Sequence, residues 1–353
     1  MRLNSRGSRP ARLLWTFPLL TFLVGGMFLL ELAIGSTKIP LGEILTVLGG
    51  GEPARASTAT ILYELRLPRA ITALAVGAAL GAAGLQLQTL FRNPLAGPWA
   101  LGITAGAQLG VALVVVTGSL VGSSMLDHLV ILNQLSVVAG ASLGATLMIA
   151  VITFISRRVS TITLLIVGLM LGFFAQGLVD VTLHFTDDTQ AKIFGSWNDG
   201  SYASVHWQHF PTLLPLLAIG IVLALAMVKP LNALLLGERN AESLGVALGR
   251  TRLAILGSAV LLAAPATAYC GPILFVGLIV PHLCRGLFKT SDHRVLMPAV
   301  LLMGSLLALS ADLFVHLPWD QHFLHLNSVN ALIGAPVVVW VVLRDRQMRS
   351  LAL

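Results

Sequence analysis

Residues 70–91 read AITALAVGAALGAAGLQLQTLF, 22 positions without a charged side chain. At about 1.5 Å of helical rise per residue, this run is long enough to cross the roughly 30 Å hydrocarbon core of a bilayer. Gly77, Gly81 and Gly84 recur within it, and small residues at such spacing let helix backbones approach closely in lipid. The run therefore predicts a membrane-spanning helix that packs tightly inside a bundle.

The composition of the whole chain is also typical of a membrane protein. Of its 353 residues, 56% are hydrophobic and only 10% are charged, and the mean hydropathy is +0.88. Ordinary soluble domains contain about 25% charged residues, so we exclude a soluble enzyme, a disordered chain and a free nucleic-acid binder. The net charge of +7 does not indicate a nucleic-acid partner, because the basic residues lie at the ends of apolar runs, where they set topology.

Further apolar runs predict an all-α polytopic membrane protein with about ten transmembrane helices. The expected spans are residues 14–34, 70–91, 98–117, 130–155, 162–184, 211–229, 252–269, 271–288, 295–315 and 328–343. They imply a cytoplasmic basic tail at 1–13, a single transmembrane domain at 14–345 with a cytoplasmic segment at 231–250, and a cytoplasmic tail at 346–353. The first run resembles a secretion signal, but it is long and lacks a clear cleavage site, so we interpret it as a retained helix.

The distribution of lysine and arginine predicts the orientation, because these residues are enriched on the cytoplasmic side of membrane proteins. With the N-terminus inside and the helices alternating, 17 of the 22 basic residues lie on the inner side. The outer side receives Lys38, Arg55, Arg66, Arg69 and Lys192. We therefore expect a multi-pass protein of the cell inner (plasma) membrane with both termini in the cytoplasm.

Two segments interrupt the apolar runs with proline and glycine. One reads RNPLAGP at 92–98, and the other is Gly271-Pro272, followed by Pro281-His282. Proline stops or kinks a helix, and irregular backbone at membrane depth is tolerated only inside protein or beside a water-filled cavity. The breaks are consistent with a substrate path, as in transporters, and equally with simple kinks or turns.

Ion-coupling residues are scarce in the sequence. It contains no GxxxxGK[ST] motif, so the chain has no P-loop for nucleotide phosphates. The candidates for buried ionisable groups are Glu31, Asp180, His184 and Asp312, and all fall near predicted outer ends of helices. The sequence therefore offers few ionisable residues for a proton or sodium relay through the middle of the membrane. A transporter of this kind needs another source of energy.

Cysteine and histidine show no pattern with metal-ligand spacing. Cys270 and Cys284 lie in or beside an apolar stretch without a CxxC motif, and we interpret them as ordinary buried thiols. His316, His322 and His325 form a group near the outer end of the ninth span, where a polar loop is favoured over a metal site. We predict no catalytic residue, no bound metal and no cofactor.

The inner loop at 231–250, between the sixth and seventh spans, is the most polar cytoplasmic stretch in the middle of the chain. Residues 238–244 can form two helical turns, and Gly245 is suited to end them. Ala241, Leu244 and Leu248 then share one face. Such a short amphipathic helix suits docking to a partner protein, although a helix lying on lipid fits the same pattern.

Segments between residues 35 and 345 resemble the permease subunits of ABC importers for iron-siderophores, haem and vitamin B12. In chain order the matching segments are LRLPR at 65–69; RNPLA at 92–96 with Pro98, Leu101-Gly102 and Gly106-Ala107; Gly195-Ser196, Gly200-Ser201 and Trp207; the segment 236–245; GPI, FVGLIVPH and Arg285 within 271–285; and SDHR, AD and ALIGAP within 291–336. Each match alone is weak, but their common order and compatible spacing make the resemblance strong.

The resemblance implies a ten-helix subunit like the vitamin B12 importer permease (a type II ABC importer), paired with a second permease copy in a homodimer or heterodimer. The other implied partners are two copies of a cytoplasmic ATP-binding subunit, a periplasmic or lipid-anchored substrate-binding protein, and membrane lipid, but no nucleic acid. The chain is then no enzyme, since the partner hydrolyses ATP. The implied cargo is an iron chelate, with ferric siderophore first, haem second and cobalamin third. The residues leave open the alternative of a stand-alone secondary transporter or channel.

The resemblance also implies roles for individual residues. The ATPase-coupling residues are Gly237, Glu238, Ala241, Glu242, Ser243, Leu244 and Gly245. The residues that dock the binding protein are Arg66, Arg69 and His316, and His316 stands where the family has an arginine, so that a contact there depends on pH. The residues of the cytoplasmic gate are Asn93, Leu95, Ser160 and Thr161. A second departure is LNSVNA at 326–331, in place of the family's LPVG or LPIG pattern, and it predicts a differently shaped outer end of the last helix.

Overall fold

The computed structural model describes residues 8–35, 37–51, 55–121, 130–156, 158–317 and 324–350. Over these residues it consists of helices and short connections, without a strand. In chain order the α-helices are α1 (Ser8–Ala33), α2 (Leu41–Leu48), α3 (Ala56–Thr60), α4 (Leu67–Phe91), α5 (Ile103–Val121), α6 (Val130–Ser156), α7 (Thr161–His184), α8 (Asp188–Asn198), α9 (Phe210–Ala226), α10 (Val228–Leu235), α11 (Glu238–Ser243), α12 (Leu248–Cys270), α13 (Val276–Phe288), α14 (His293–Val315) and α15 (Leu326–Ser350). Parts of the predicted tails (1–7 and 351–353) and His322 lie outside the described residues.

The predicted all-α membrane fold is confirmed. Within the described ranges, seven helical stretches are long and apolar enough to cross a membrane. Three shorter apolar helices, at Ile103–Thr117, Val276–Phe288 and Leu326–Val339, correspond to the remaining predicted spans.

The structure corrects the bounds of several predicted spans. α4 continues without a break from helical turns that begin at Ala56, because a π-helical turn at Ile61–Arg66 leads directly into α4, whose second residue is Pro68. α5 begins only at Ile103, after a 3-10 turn at Pro98–Leu101. α13 begins at Val276, since residues 271–275 form an irregular segment in which Phe275 has a φ of 66°. Both breaks that the prolines predict are therefore real interruptions of helix.

α4 lies at the centre of the bundle. Its most apolar window is 83% buried, against 22% for the windows of α1 and α7, and it contacts α9, α12, α13 and α14. A Cβ atom at Gly84 would lie 1.7 Å from the carbonyl oxygen of Gly277 in α13, and one at Gly77 would lie 2.3 Å from that of Gly304 in α14. The glycines of α4 therefore permit backbone contacts that any side chain would prevent.

α5 and α6 form a second closely packed pair, beside which α7 lies. A Cβ atom at Gly110 would lie 2.0 Å from the carbonyl oxygen of Gly140. α7 packs against α5 and leaves Phe173 and Phe174 about two-thirds exposed, at 68% and 66%. α7 thus lies at the periphery of the subunit, where its apolar face suits lipid or a second membrane subunit.

Candidate functional site

The predicted coupling segment folds as a short helix between two glycines. α11 follows Gly237, which has a φ of 110°, and precedes Gly245, which has a φ of 85°; both conformations favour glycine. Ala241 is fully buried and anchors α11 to the bundle. The remaining predicted coupling residues of this turn have exposed side chains: Glu238, Glu242, Ser243 and Leu244.

The predicted apolar face of this segment is wrong. Leu244 is 65% exposed rather than packed beside Ala241. The reason is that α11 ends at Ser243 and the chain turns at Gly245, so the next helix carries Leu248 in a different direction. The turn from Gly237 to Gly245 therefore presents a polar surface from which the side chain of Leu244 projects.

Two predicted gate residues meet the coupling segment in a cleft of about 470 Å³. Ser160 caps α7, since its Oγ accepts a hydrogen bond from the backbone N–H of Thr163. Thr161, the first residue of α7, donates from its Oγ1 to Oε1 of Glu238 over 2.9 Å. The cleft thus joins the predicted gate to the predicted coupling helix through a direct hydrogen bond.

The other two predicted gate residues lie in the turn after α4 and do not line this cleft. Arg92 ends α4 with a φ of 47°, and its Nη2 donates to the carbonyl oxygen of Leu234 over 3.2 Å. Asn93 shapes the turn, because its Oδ1 accepts from the backbone N–H of Leu95 over 2.9 Å. Leu95 is 40% exposed. Within the turn after α4, Arg92 is the residue that lines the cleft.

A groove of about 380 Å³ opens beside the middle of α7. Trp99 and Phe173 form apolar parts of its wall, and four amide side chains provide polar groups. Gln108 donates to Oδ1 of Asn198 over 2.7 Å, and Gln176 donates to Asp180 over 3.0 Å. Our sequence reasoning did not identify this groove, although glutamines inside two predicted spans were a usable signal.

Asn327 fixes the outer end of the last helix to the groove wall. Its Nδ2 donates to the carbonyl oxygen of Pro272 over 2.8 Å, and its Oδ1 accepts from the backbone N–H of Leu274 over 3.0 Å. These contacts tie the start of α15 to the irregular segment 271–275. The departure from the family pattern at 326–331 thus places an asparagine here whose side chain makes two hydrogen bonds to the segment 271–275.

A buried ionic cluster joins α1, α4 and α14. Nε of Arg69 lies 3.2 Å from Oε1 of Glu31 and 3.0 Å from Oδ2 of Asp312. The carboxylates are 0% and 1% exposed. Arg66 donates to the carbonyl oxygens of Leu32, over 2.7 Å, and Thr37. One guanidinium is therefore shared by two buried carboxylates, and both arginines fasten α4 to its surroundings.

This arrangement buries Arg66 and Arg69, two of the three residues predicted to dock the binding protein. They are only 3% and 8% exposed, because Arg69 lies between the carboxylates of Glu31 and Asp312 and Arg66 lies against Leu32 and Thr37. Of the three predicted docking residues, His316 is the accessible one, with its side chain 28% exposed and its Nδ1 3.5 Å from Oδ2 of Asp312.

An outer cavity of about 570 Å³ lies next to this cluster and the groove. Its charged and titratable wall residues include Lys192, Asp199, Asp312, His316 and His325. Asp199 lines the groove as well, and its Oδ2 lies 3.0 Å from Nδ1 of His325. Among the described residues, no group of three or more histidine, cysteine, aspartate or glutamate side chains is arranged to hold a metal ion. The cavity and the groove are therefore adjoining spaces that share Asp199.

The bundle, the polar groove and the exposed helix α11 are consistent with a polytopic membrane permease. Residues 21–344 match the FecCD transport family. The vitamin B12 import system permease protein BtuC of Klebsiella pneumoniae subsp. pneumoniae is 34% identical over 332 residues, which cover 94% of each chain. The hemin transport system permease protein HmuU of Yersinia pestis is 34% identical over 292 residues, which cover 82% of this chain and 85% of the relative.

A solved structure, described as a metal-chelate type ABC transporter in an inward-facing conformation, superposes with a TM-score of 0.79 at 27% identity, covering 92% of this chain and 97% of that one. The chain belongs to the FecCD transport family. The resemblance to the permease subunits of iron-siderophore, haem and vitamin B12 ABC importers is thereby confirmed. The protein is a transport subunit of the inner membrane.

Proposed function

We propose that this chain forms one half of the membrane pathway of an ATP-driven importer for a bulky metal chelate. The observation that carries the proposal is the hydrogen bond from Thr161 to Glu238. Glu238 belongs to the exposed helix α11, and Thr161 begins α7, whose middle lines the groove through Phe173 and Gln176. A movement of α11 imposed by a bound ATPase is thereby transmitted to a helix of the cargo path.

The proposed partners follow from the exposed surfaces and from the family. α11 with Glu238, Glu242, Ser243 and Leu244 would contact one cytoplasmic ATP-binding subunit, of which the complete importer has two. A second permease copy, identical or related, would cover the peripheral face of α7. In this arrangement both termini are cytoplasmic, and a periplasmic or lipid-anchored binding protein delivers cargo on the opposite side, near His316.

The gate role of Ser160, Thr161, Asn93 and Leu95 is part of the same proposal. Ser160 and Thr161 line the cleft beside the coupling helix. Asn93 and Leu95 lie in the turn that Arg92 connects to α10 through the carbonyl oxygen of Leu234. Both segments are therefore linked to the region that an ATPase would move.

The cargo proposal is a metal chelate of the kind that the relatives carry. BtuC is named for vitamin B12 and HmuU for hemin, so cobalamin and haem are supported by relatives. Ferric siderophore stays the first prediction of the sequence resemblance, ahead of haem and cobalamin.

The test is uptake in cells that lack this gene and express no redundant importer. Radioiron is supplied on different siderophores and as haem, with labelled cobalamin in parallel, and a plasmid copy of the gene serves as the control. We expect the deletion to abolish uptake of one chelate and the plasmid to restore it. Normal uptake of every chelate in the deletion strain would reject the proposed cargo.

A further inference from the structure

We infer that the outer cavity and the groove select chelates that are neutral or positively charged overall and rich in amide-like groups, and that they reject polyanionic chelates. The inference rests on the proposed function and specifies the substrate class of the same path. It depends on three features of the described residues: where the groove lies, which charges line it, and which groups offer hydrogen bonds.

The groove faces a water-filled path rather than lipid. It lies beside Phe173 and Gln176 in the middle of α7, a helix of membrane-spanning length. Gln108, Gln176 and Asn198 are partly exposed there. Gln108 and Gln176 each donate one hydrogen bond to a neighbouring side chain. Their remaining donors and acceptors require water, protein or cargo in front of them, because polar groups without partners in hydrocarbon cost several kcal/mol each.

The charged side chains that line this route do not add up to a net positive charge. Asp199 is the charged residue among the groove-lining side chains that the structure describes, and these include no lysine, arginine or histidine. The outer cavity adds Lys192 and Asp312, and each of its two imidazoles faces a carboxylate, His325 that of Asp199 and His316 that of Asp312. Arg69, behind the wall, is already shared by Glu31 and Asp312.

A polyanionic chelate therefore meets the carboxylates of Asp199 and Asp312 along the route, and Lys192 is the one lysine or arginine on the described walls of the two spaces that could balance its charge. Low-dielectric protein walls focus the field of these carboxylates into the path, so each extra negative charge on the cargo increases the penalty. A ferric tris-catecholate and a ferric citrate complex belong to this disfavoured class.

The groove offers suitable contacts to a cargo without net negative charge. Its amides can both donate and accept hydrogen bonds, which matches hydroxamate or peripheral amide groups on a chelate. Trp99 is 48% exposed and Phe173 is 68% exposed, so both present apolar surface to the bulk of a ligand and a π face to a cationic one. Ferric hydroxamates and corrinoids share this chemistry.

The test compares uptake of chelates of different charge in the deletion strain that carries plasmid copies of the gene. The panel contains a cationic and a neutral ferric hydroxamate, cobalamin, ferric citrate and a ferric tris-catecholate. The variants are Asp199→Asn, Asp199→Lys and Gln176→Lys. The matched control is Asp188→Lys, an exposed aspartate on α8 that does not line either space. Immunoblots of membranes verify equal amounts of protein.

We expect gene-dependent uptake of a hydroxamate or of cobalamin, and the panel shows which. Asp199→Lys and Gln176→Lys should each lower uptake of a cationic chelate at least tenfold, and Asp199→Asn less than threefold, while Asp188→Lys leaves it unchanged. Because Gln176→Lys does not touch the Asp199–His325 pair, it separates a charge effect from local damage.

Gene-dependent uptake of a polyanionic chelate by the wild type would overturn the inference and leave the proposed function intact. Unchanged or increased uptake of the cationic chelate in both lysine variants would also overturn it. If no chelate in the panel depends on the gene, the proposed function itself fails.

Discussion

The hydrogen bond between Thr161 and Glu238 yields the sharpest prediction about coupling. Thr161→Val keeps the shape and β-branching of the side chain and removes the hydroxyl that donates to Glu238 over 2.9 Å. Since Thr161 is partly buried and Glu238 is exposed, we assign the bond a net value of about 0.5–1.5 kcal/mol. That value changes the equilibrium between linked and unlinked arrangements roughly 2- to 12-fold.

The assay is cargo transported per ATP hydrolysed, measured with the complete importer in proteoliposomes. We expect Thr161→Val to lower this ratio roughly 2- to 12-fold while the protein still inserts and its partners still hydrolyse ATP. The matched control is Thr146→Val, because the hydroxyl of Thr146 bonds only to the carbonyl oxygen of Ser142 in its own helix among the contacts described.

A double-mutant cycle with Glu238→Ala completes the test. If the two side chains act through one bond, the double variant should be no worse than the more impaired single variant. Two results would refute the transmission of α11 movement through this contact. One is equal transport in Thr161→Val and Thr146→Val. The other is a double variant whose loss equals the product of the separate losses in Thr161→Val and Glu238→Ala.

Three further predictions concern stability, measured by thermal unfolding of the purified protein in detergent. Arg69→Met leaves two buried carboxylates without their cation and should cost about 3–5 kcal/mol; a stable variant that only loses binding-protein affinity would instead support the docking role. Gly84→Ala forces a Cβ onto a facing carbonyl and should cost about 1–3 kcal/mol or more. The control Gly257→Ala has open space around its Cβ and should be tolerated. Equal stability of these two variants would contradict the packing account. Asp292→Ala should cost about 1 kcal/mol because Asp292 caps α14. The capping hydrogen bond from the N–H of Arg294 lowers the pKa of Asp292, so its contribution is present above the unfolded-state pKa and lost as the pH falls through the folded-state pKa; a deficit that persists in strong acid would contradict this.

Most of the architecture could be predicted because a bilayer imposes simple rules on sequence. Length and hydropathy locate the spans. The glycines of the run at 70–91 predict close helix packing, and the structure places this helix at the centre of the bundle. The proline and glycine breaks at 92–98 and 271–272 also fall where helices are interrupted. The exact helix ends differ because a π-helical turn before Pro68 runs directly into α4, and because Phe275 adopts a positive φ before α13 begins.

The side-chain contacts of the site could not be predicted from hydropathy. Glu31, Arg69 and Asp312 are far apart in the chain, and their convergence depends on how α1, α4 and α14 rotate about their axes. The same limit applies to the groove, because the sequence places Gln108 and Gln176 on helices but does not say that both face one space. The contact of Thr161 with Glu238 bridges two regions that the sequence reasoning treated separately.

The energy source for uptake tests the central claim most directly. Cells that import the identified chelate through this protein are depleted of ATP while the membrane potential is maintained, and in parallel the potential is collapsed by a protonophore while ATP is maintained. An ATP-driven permease predicts that ATP depletion abolishes uptake and that loss of the potential leaves it largely intact. Uptake that follows the membrane potential and survives ATP depletion would contradict the account and identify a stand-alone secondary transporter.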